Sequence, residues 1–351
     1  MKSQGLNLDY IIDQLVKLCT TPSPTGNTQA ITDYLQGEFT NLGLHCRRTN
    51  KGGLLATMPG RDDQRQRVLS GHVDTLGAMV SEIKGSGRLK FVTLGGYMMH
   101  AVEGEHVVVS TASGRQFTGT ILSTKASTHV FGQEAHKLER VAENMEVRLD
   151  ERVMNKDDVQ KLSIAVGDFI SLDPRTEFTP SGFIKSRHLD DKASVAVMLG
   201  VVKYFQENNL QPVATTHFFI TNFEEVGHGA SYGTPEQTVE FIAVDMGCVG
   251  NGLGGNEYAV SICAKDGGGP YDLGIRRRLV RLAEQNNIPY AVDIFPFYGS
   301  DAGPALRAGN DIRTGLIGPG VDASHAHERT HQDALLATGN LIVAYLMTGE
   351  E

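Results

Sequence analysis

Three apolar, strand-like stretches of the sequence each end in residues that commonly bind metal ions. In chain order these residues are His72 and Asp74, Glu224 and Glu225, and Asp245. Because the carboxyl ends of strands line the ligand crevice of an open α/β sheet, we expect the three stretches to deliver these side chains to one site. Imidazole and carboxylate groups suit zinc, cobalt and manganese. The pattern therefore predicts a metal centre at one edge of a sheet.

Two further segments can complete this centre. Asp190 and Asp191 stand directly before a helix-like run, and a segment with the competing histidines His325, His327 and His331 follows a strand-like stretch. Two imidazoles, three carboxylate ligands and a spare glutamate match the needs of two neighbouring divalent ions that share a bridging carboxylate. Three ligand carboxylates and a bridging hydroxide would balance the four positive charges of such a pair.

Glu224 is the predicted proton carrier. Neighbouring side chains on a regular strand point to opposite faces, so Glu224 and Glu225 can share a site only where the strand ends and the chain turns. The segment Val226–Gly229 can supply this turn. Glu224 would take a proton from the metal-bound water and pass it to the leaving amine, which is typically worth roughly 10²–10⁴-fold in rate.

Five short motifs together resemble a known family, the dinuclear metallo-aminopeptidases that include the tetrahedral (TET), glutamyl and deblocking aminopeptidases. In the family's order the motifs are His72-Val73-Asp74, Asp190-Asp191-Lys192, Glu224-Glu225-Val226-Gly227, Val244-Asp245 and Ser324-His325. Smaller segments that agree are Leu94-Gly95-Gly96, Val166-Gly167-Asp168-Phe169 and Ser300-Asp301-Ala302-Gly303. The resemblance covers nearly the whole chain.

The resemblance implies a ligand set and an activity. The ligands of one ion would be His72, Asp190 and Asp245, and those of the other Asp190, Glu225 and His325. Asp74 would orient His72, as metal-bound imidazoles usually require, and the peptide bond between Asp190 and Asp191 would be cis. The implied activity is removal of the N-terminal residue of short peptides through a metal-bridging hydroxide, with Glu224 as general base and acid.

The resemblance also implies cofactors and an assembly. The cofactors would be two divalent ions, with zinc favoured over cobalt and manganese, and the substrate a short peptide or small amide. The protein would be a homo-oligomer, from a dimer up to a dodecamer.

The chain departs from the family pattern near the predicted site. His228 stands where family members commonly have an aliphatic residue, and Leu122–His129 replaces the family's Gly-Ser-Lys-Pro-Pro-His segment. Ser324–His331 is similar to a subgroup that accompanies synthesis of an N-acetylated glutamine dipeptide osmoprotectant. The alternative function is therefore an amidohydrolase for small N-acylated or amidated dipeptides. A noncatalytic binding or assembly protein of the same fold is a further alternative.

Alternating helix-like and strand-like segments predict an α/β fold with a mixed, largely parallel sheet flanked by helices. Short β-like pieces and frequent glycines interrupt this pattern and predict a small inserted all-β domain at 76–175. The family resemblance implies that this domain would serve for dimerisation or as a lid. The catalytic domain would comprise 1–75 and 176–351. Gly250–Gly255 fits the dinucleotide-binding pattern G-x-G-x-x-G, but the strand-like Tyr258–Cys263 follows where that motif needs a helix.

The composition argues against several classes of protein. The 351 residues include 32 basic and 41 acidic side chains, a net charge of −9, and no basic cluster beyond Arg276–Arg278. We therefore expect neither nucleic acid nor anionic membranes as partners. No charged-then-apolar leader and no apolar run of roughly 18 residues is found, which favours a cytoplasmic protein. The four cysteines form no Cys-x-x-Cys and are expected to be reduced.

Overall fold

The computed structural model describes residues 5–349 and consists of a large mixed sheet, helices on its faces and a separate small barrel. The helices are α1 (Leu8–Thr20), α2 (Gln29–Asn41), α3 (Thr128–Phe131), α4 (Gln133–Lys137), α5 (Lys156–Lys161), α6 (Leu189–Glu207), α7 (Leu273–Gln285), α8 (Ala302–Arg307) and α9 (Gln332–Leu346).

The strands from the N-terminus through the barrel are β1 (His45–Arg48), β2 (Leu54–Met58), β3 (Asp62–His72), β4 (Gly77–Ile83), β5 (Leu89–Leu94), β6 (His106–Ser110), β7 (Gln116–Ser123), β8 (Met145–Leu149) and β9 (Phe169–Leu172). The later strands are β10 (Glu177–Phe178), β11 (Phe183–Ser186), β12 (Ala214–Thr221), β13 (Thr238–Val244), β14 (Gly247–Val249), β15 (Val260–Asp266), β16 (Gly269–Pro270), β17 (Tyr290–Ile294), β18 (Arg313–Asp322) and β19 (Glu328–His331).

Parallel strands form the centre of the large sheet. β3 pairs in parallel with β12 on one side and with β13 on the other, and β13 pairs in parallel with β18. The antiparallel strands β2 and β15 extend the sheet beyond β12 and β18. Every residue of β12 is buried, as expected for a strand that is covered on both faces. The predicted mixed, largely parallel sheet is confirmed.

The helix α6 lies at the centre of the hydrophobic core. It is buried almost continuously from Leu189 to Phe205 and packs against α1, α9 and β3. Gly200 allows the close approach to α1, because a side chain at this position would meet Ile11. The start of α6 therefore has a fixed position next to the end of β3.

The small barrel is built from the strands β4, β5, β8, β7, β6 and β9, which form a closed antiparallel cycle. It has its own hydrophobic core, which includes Val80, Phe91, Val109 and Ile121. The chain enters the barrel after β3 and returns to the large sheet at β10 and β11. An inserted all-β unit is thus confirmed, and its predicted limits, 76–175, stay a prediction.

Several local predictions also agree with the structure. The segment after the glycine-rich 250–255 continues into strand β15, so it lacks the helix that a dinucleotide site requires. The four cysteines are free, and two of them are buried. Between residues 5 and 349, no helix combines the length and apolar character that crossing a membrane requires.

A buried carboxylate on β13 joins the sheet to the helices that cover it. Glu240 has no exposed surface and accepts hydrogen bonds from Arg278 at 2.5 Å, Arg313 at 2.7 Å and the Tyr345 hydroxyl at 2.6 Å. The Nε atom of the buried Arg67 lies 3.3 Å from the same carboxylate. Burial would raise the pKa of Glu240, but its hydroxyl and guanidinium partners outweigh burial and lower that pKa.

We expect Glu240→Ala to lower the free energy of unfolding by about 3–5 kcal/mol, because Arg67 would remain buried without its carboxylate. Urea unfolding of both proteins measures this difference. The exposed Glu151 provides a control, since Glu151→Ala should change stability by less than about 0.5 kcal/mol. A loss below about 1 kcal/mol for Glu240→Ala would contradict the prediction, because an exposed ion pair already contributes up to that amount to stability.

Candidate metal centre

The candidate centre lies at the carboxyl ends of three adjacent parallel strands. His72 is the last residue of β3, Glu224 and Glu225 begin a 3-10 turn after β12, and Asp245 follows β13. Because β12 and β13 flank β3 in parallel register, these residues meet at one edge of the sheet. The sheet topology therefore brings together side chains that are far apart in the sequence.

The turn after β12 directs both glutamates to this edge. Phe223 precedes the turn with a φ of 65°, and Gly227 ends it with a φ of 84°. These two left-handed residues interrupt the strand, so Glu224 and Glu225 no longer alternate between opposite faces. The predicted departure from strand geometry at this position is present in the structure.

Asp190 reaches the same edge from the start of α6. Asp190 and Asp191 have non-helical backbone angles, and the peptide bond between them is cis, as the family resemblance implies. The amide of Asp190 donates a hydrogen bond of 3.1 Å to Glu328. The segment before the helix is therefore held against the loop that carries His325.

Two groups of potential ligands share Asp190. The first consists of His72, Asp190 and Asp245, and the second of Asp190, Glu225 and His325, with ligand atoms within 4.8 Å of one another in each group. Oδ1 of Asp190 lies 3.1 Å from Nε2 of His72, and its Oδ2 lies 3.3 Å from Nε2 of His325. Each oxygen of this one carboxylate thus faces a different imidazole.

Glu224 lies beside the two groups without belonging to either. Its Oε2 is 3.8 Å from Nε2 of His72, and its side chain lines the cavity above the centre. Burial, together with the neighbouring charges of Asp245, Asp301 and Glu225, raises the pKa of Glu224 well above its usual value. A carboxyl group with raised proton affinity that faces a cavity is suited to proton transfer.

Asp74 contacts both the imidazole of His72 and the turn that carries the two glutamates. Nδ1 of His72 bonds to the Asp74 backbone carbonyl at 2.9 Å, whereas the Asp74 carboxylate is 3.6 Å away. That carboxylate instead accepts the amide hydrogens of Glu224 at 3.1 Å and Glu225 at 3.3 Å, and the Thr25 hydroxyl at 2.8 Å. Asp74 therefore supports the histidine and the turn of both glutamates at the same time.

The carboxylates of the centre carry more negative charge than the basic side chains around them can neutralise. Burial and the charge of Asp190 raise the pKa of Glu225, and they raise the pKa of Asp245 to about 7. Burial would also raise the pKa of Asp190, but hydrogen bonds from His325 and His72 outweigh it and lower that pKa. Such mutual repulsion is what divalent cations relieve.

Two carboxylate oxygens at the centre support the same conclusion. Oδ1 of Asp245 and Oδ1 of Asp191 are buried and have no hydrogen-bond partner among residues 5–349. A buried carboxylate oxygen without a donor is unfavourable unless a cation satisfies it. Because Asp245 also belongs to the first ligand group, the residues present fit a bound cation.

The other histidines that the sequence offered as ligands lie outside both groups. His331 packs between the rings of Phe183 and Tyr258 at centroid distances of 5.0 Å, and its Nε2 bonds to the carbonyl of Ser181. His327 belongs to neither group, and burial lowers its pKa.

His228 stacks on Phe223 at a centroid distance of 5.1 Å instead of lining the cavity. Its backbone carbonyl accepts a hydrogen bond from the ammonium of Lys51.

Two supporting carboxylates were not singled out from the sequence. Glu328 is buried and accepts the amide hydrogens of both Asp190 and His325, at 3.1 Å each. Asp301 accepts a hydrogen bond from the Thr221 hydroxyl, and the amide of Ala230 donates to it at 2.8 Å. Both residues lie within motifs that the sequence does show, but the backbone amides that donate to them leave no pattern in a sequence.

A cavity of about 420 Å³ opens above the centre. Its lining residues are Asp190, Glu224, Glu225, Gly227, Asp245, Cys248, Phe297, Tyr298, Gly299, Ser324 and His325. A space of this size is typical of a site for a small ligand.

Comparison with known proteins decides the family of the chain. The model of the M42 glutamyl aminopeptidase family matches residues 52–341. The chain belongs to this family. It is therefore a metallo-aminopeptidase, which is a hydrolase of peptide bonds.

YhfE of Bacillus subtilis (strain 168), a protein named as an aminopeptidase, is 52% identical over 95% of this chain and 97% of its own length. The glutamyl aminopeptidase of Lactococcus lactis subsp. cremoris (strain MG1363) is 23% identical over 91% of this chain and 90% of its own.

Solved structures share the fold of the whole chain. An aminopeptidase from the archaeon Desulfurococcus kamchatkensis superimposes with a TM-score of 0.86 at 22% identity, covering 98% of this chain and 96% of its own. The TET1 peptidase of Pyrococcus horikoshii superimposes with a TM-score of 0.84 at 21% identity, covering 97% of this chain and 100% of its own. These likenesses confirm the predicted fold class.

We expect Glu328→Ala to weaken metal retention about 10–100-fold, because the backbone at both Asp190 and His325 would lose its hydrogen-bond acceptor. Titration with a competing chelator, followed by metal analysis, measures this effect. Glu257→Ala is the matched control, since it removes the 2.6 Å ion pair with Arg329, which follows Glu328 on β19, and Glu257 belongs to neither ligand group. Equal retention by Glu328→Ala and the control would contradict the supporting role.

Proposed function

We propose that this metallo-aminopeptidase uses two divalent ions to release the N-terminal residue of short peptides. The observation that carries this proposal is the shared carboxylate of Asp190, whose two oxygens face His72 and His325 within two overlapping ligand groups. A carboxylate that bridges two adjacent ions, each with its own imidazole, gives the charge balance and the open coordination positions of a hydrolytic centre. Zinc is the proposed metal, with cobalt and manganese as alternatives.

The residues divide into those that would hold the ions and those that would handle protons. His72, Asp190 and Asp245 would hold one ion, and Asp190, Glu225 and His325 the other. When bound, the ions would polarise the scissile carbonyl and lower the pKa of a water molecule.

Glu224 is the proposed general base and acid. Its carboxylate would accept a proton from the attacking water at Oε2 and then deliver this proton to the leaving amine. The amide of Glu224 is held by the Asp74 carboxylate at 3.1 Å, so the base has a defined position relative to the ligand groups. Burial beside other carboxylates raises the pKa of Glu224, and this raises its affinity for the proton that it would take from the water.

Asp74 is the proposed positioning residue. It couples the orientation of His72, through its backbone carbonyl, to the positions of Glu224 and Glu225, through its carboxylate. A displacement of this turn would move a ligand and the base together, and catalysis tolerates such displacement poorly.

The decisive experiment combines metal analysis with a screen of substrates on the same preparation. We expect the protein to release free amino acids from short peptides, and to lose this activity with a chelator. Glu224→Gln should lower kcat by about 10²–10⁴-fold while the metal content stays unchanged, because the amide cannot accept the proton. The exposed Glu236 supplies the control Glu236→Gln, for which we expect wild-type turnover.

Three outcomes of this experiment would contradict the proposal. Turnover of Glu224→Gln at the wild-type rate would remove Glu224 from its role. Metal-replete protein that is inert toward every peptide would exclude aminopeptidase activity on short peptides. Preferential hydrolysis of N-acylated or amidated dipeptides would instead support the amidohydrolase alternative.

We also propose that the chain forms a homo-oligomer. A dodecamer is described for one of the structural relatives, and a tetrahedron or large octahedral shell for the TET1 peptidase of Pyrococcus horikoshii. Sedimentation analysis should therefore give a mass at least twice the 38.0 kDa of one chain. A monomer at micromolar concentration would contradict the proposal.

A further inference from the structure

The described residues that line the cavity above the metal centre include aromatic side chains but no lysine or arginine. We propose that this cavity accepts substrates with a neutral, apolar N-terminal side chain and rejects acidic ones. This inference rests on the proposed function, and it concerns which peptides the same site would hydrolyse.

Beyond the ligand groups and Glu224, the wall contains aromatic, sulfur and small residues. Phe297 is fully exposed at the mouth of the cavity, beside Tyr298 and Cys248. Tyr298 is held in place, because its ring packs on Phe295 at 5.4 Å and its hydroxyl donates to the carbonyl of Met246 at 2.9 Å. An apolar side chain that enters the cavity would therefore meet a firm aromatic surface on one side.

The cavity wall offers no counter-charge for the carboxylate of an acidic substrate side chain. Among the residues that line the cavity in the described part of the chain, none is lysine or arginine. The nearby ammonium of Lys51 is already engaged, since it donates to the Gly229 carbonyl at 2.9 Å, to the Ser231 hydroxyl at 3.2 Å and to the His228 carbonyl. An acidic substrate side chain would thus lose its hydration without gaining a counter-charge.

The charge of the occupied centre gives the same result. The cavity is lined by the carboxylates Asp190, Glu224, Glu225 and Asp245. With a hydroxide, the three ligand carboxylates among them would already balance two divalent ions, so no excess positive charge would remain for a glutamyl or aspartyl side chain.

Substitution of Phe297 tests the proposal without disturbing the fold. Its side chain is fully exposed, so its truncation should leave no void in the core. It would become buried only when a substrate side chain covers it. Phe297 should therefore contribute to the binding of leucyl substrates more than to that of alanyl substrates.

The test compares kcat/KM for leucyl, alanyl and glutamyl p-nitroanilides with metal-loaded protein. We expect the wild-type protein to prefer the leucyl over the glutamyl substrate by at least about 100-fold. Phe297→Ala should lower kcat/KM about 10-fold for the leucyl substrate and change it less than about 3-fold for the alanyl one. Phe297→Lys should raise the ratio of glutamyl to leucyl hydrolysis, because it adds the missing counter-charge.

Phe178→Ala is the matched control, since Phe178 is also exposed but does not line the cavity, and all three rates should stay unchanged. A wild-type preference for the glutamyl substrate would overturn the inference while leaving the proposed function intact. An equal loss on leucyl and alanyl substrates in Phe297→Ala would also overturn it. Absence of turnover with every substrate would instead overturn the proposed function, and the inference with it.

Discussion

Repulsion between buried carboxylates is the constraint on which this structure depends. The protein relieves this repulsion in different ways at two places. On β13, Glu240 is surrounded by Arg67, Arg278 and Arg313, and the pKa of its carboxyl is lowered despite burial. At the edge of the sheet, Glu224 and Glu225 are largely shielded from solvent among other carboxylates, and their pKa values are raised.

This contrast distinguishes an ionic cluster with a structural role from a site that requires cations from outside the chain. The Glu240 cluster is complete within the chain, so it stabilises the fold. The centre around Asp190 is incomplete, since Oδ1 of Asp245 is buried and has no donor in the part of the chain that the structure describes. Cations would supply the missing charge, which is why metal binding and the packing of this edge are expected to depend on each other.

The positions of the proposed catalytic groups depend mainly on backbone interactions. The carbonyl and carboxylate of Asp74, and the carboxylate of Glu328, bind ring or amide N–H groups of residues near or within the two ligand groups. These contacts connect the ends of β3 and β12 with the start of α6 and the loop before β19. The large sheet and α6 thus fix the geometry of the ligand groups. The proposed selection of substrates depends on the cavity wall beyond them.

The sequence alone determined which residues end the apolar strands, because burial on both faces demands an uninterrupted apolar run and a polar residue then marks its end. It therefore predicted the fold class and the candidate residues His72, Glu225 and Asp245. Among the three competing histidines, the family resemblance implied His325 as the ligand, and the tertiary structure places its Nε2 3.3 Å from Oδ2 of Asp190. Only the tertiary structure decided that the Asp74 carboxylate contacts the glutamate amides. The physical reason is that strand periodicity is a local property of the chain, whereas these contacts join segments more than a hundred residues apart. The amide hydrogens that Asp74 binds are moreover present in every residue except proline, so they leave no signal in the sequence.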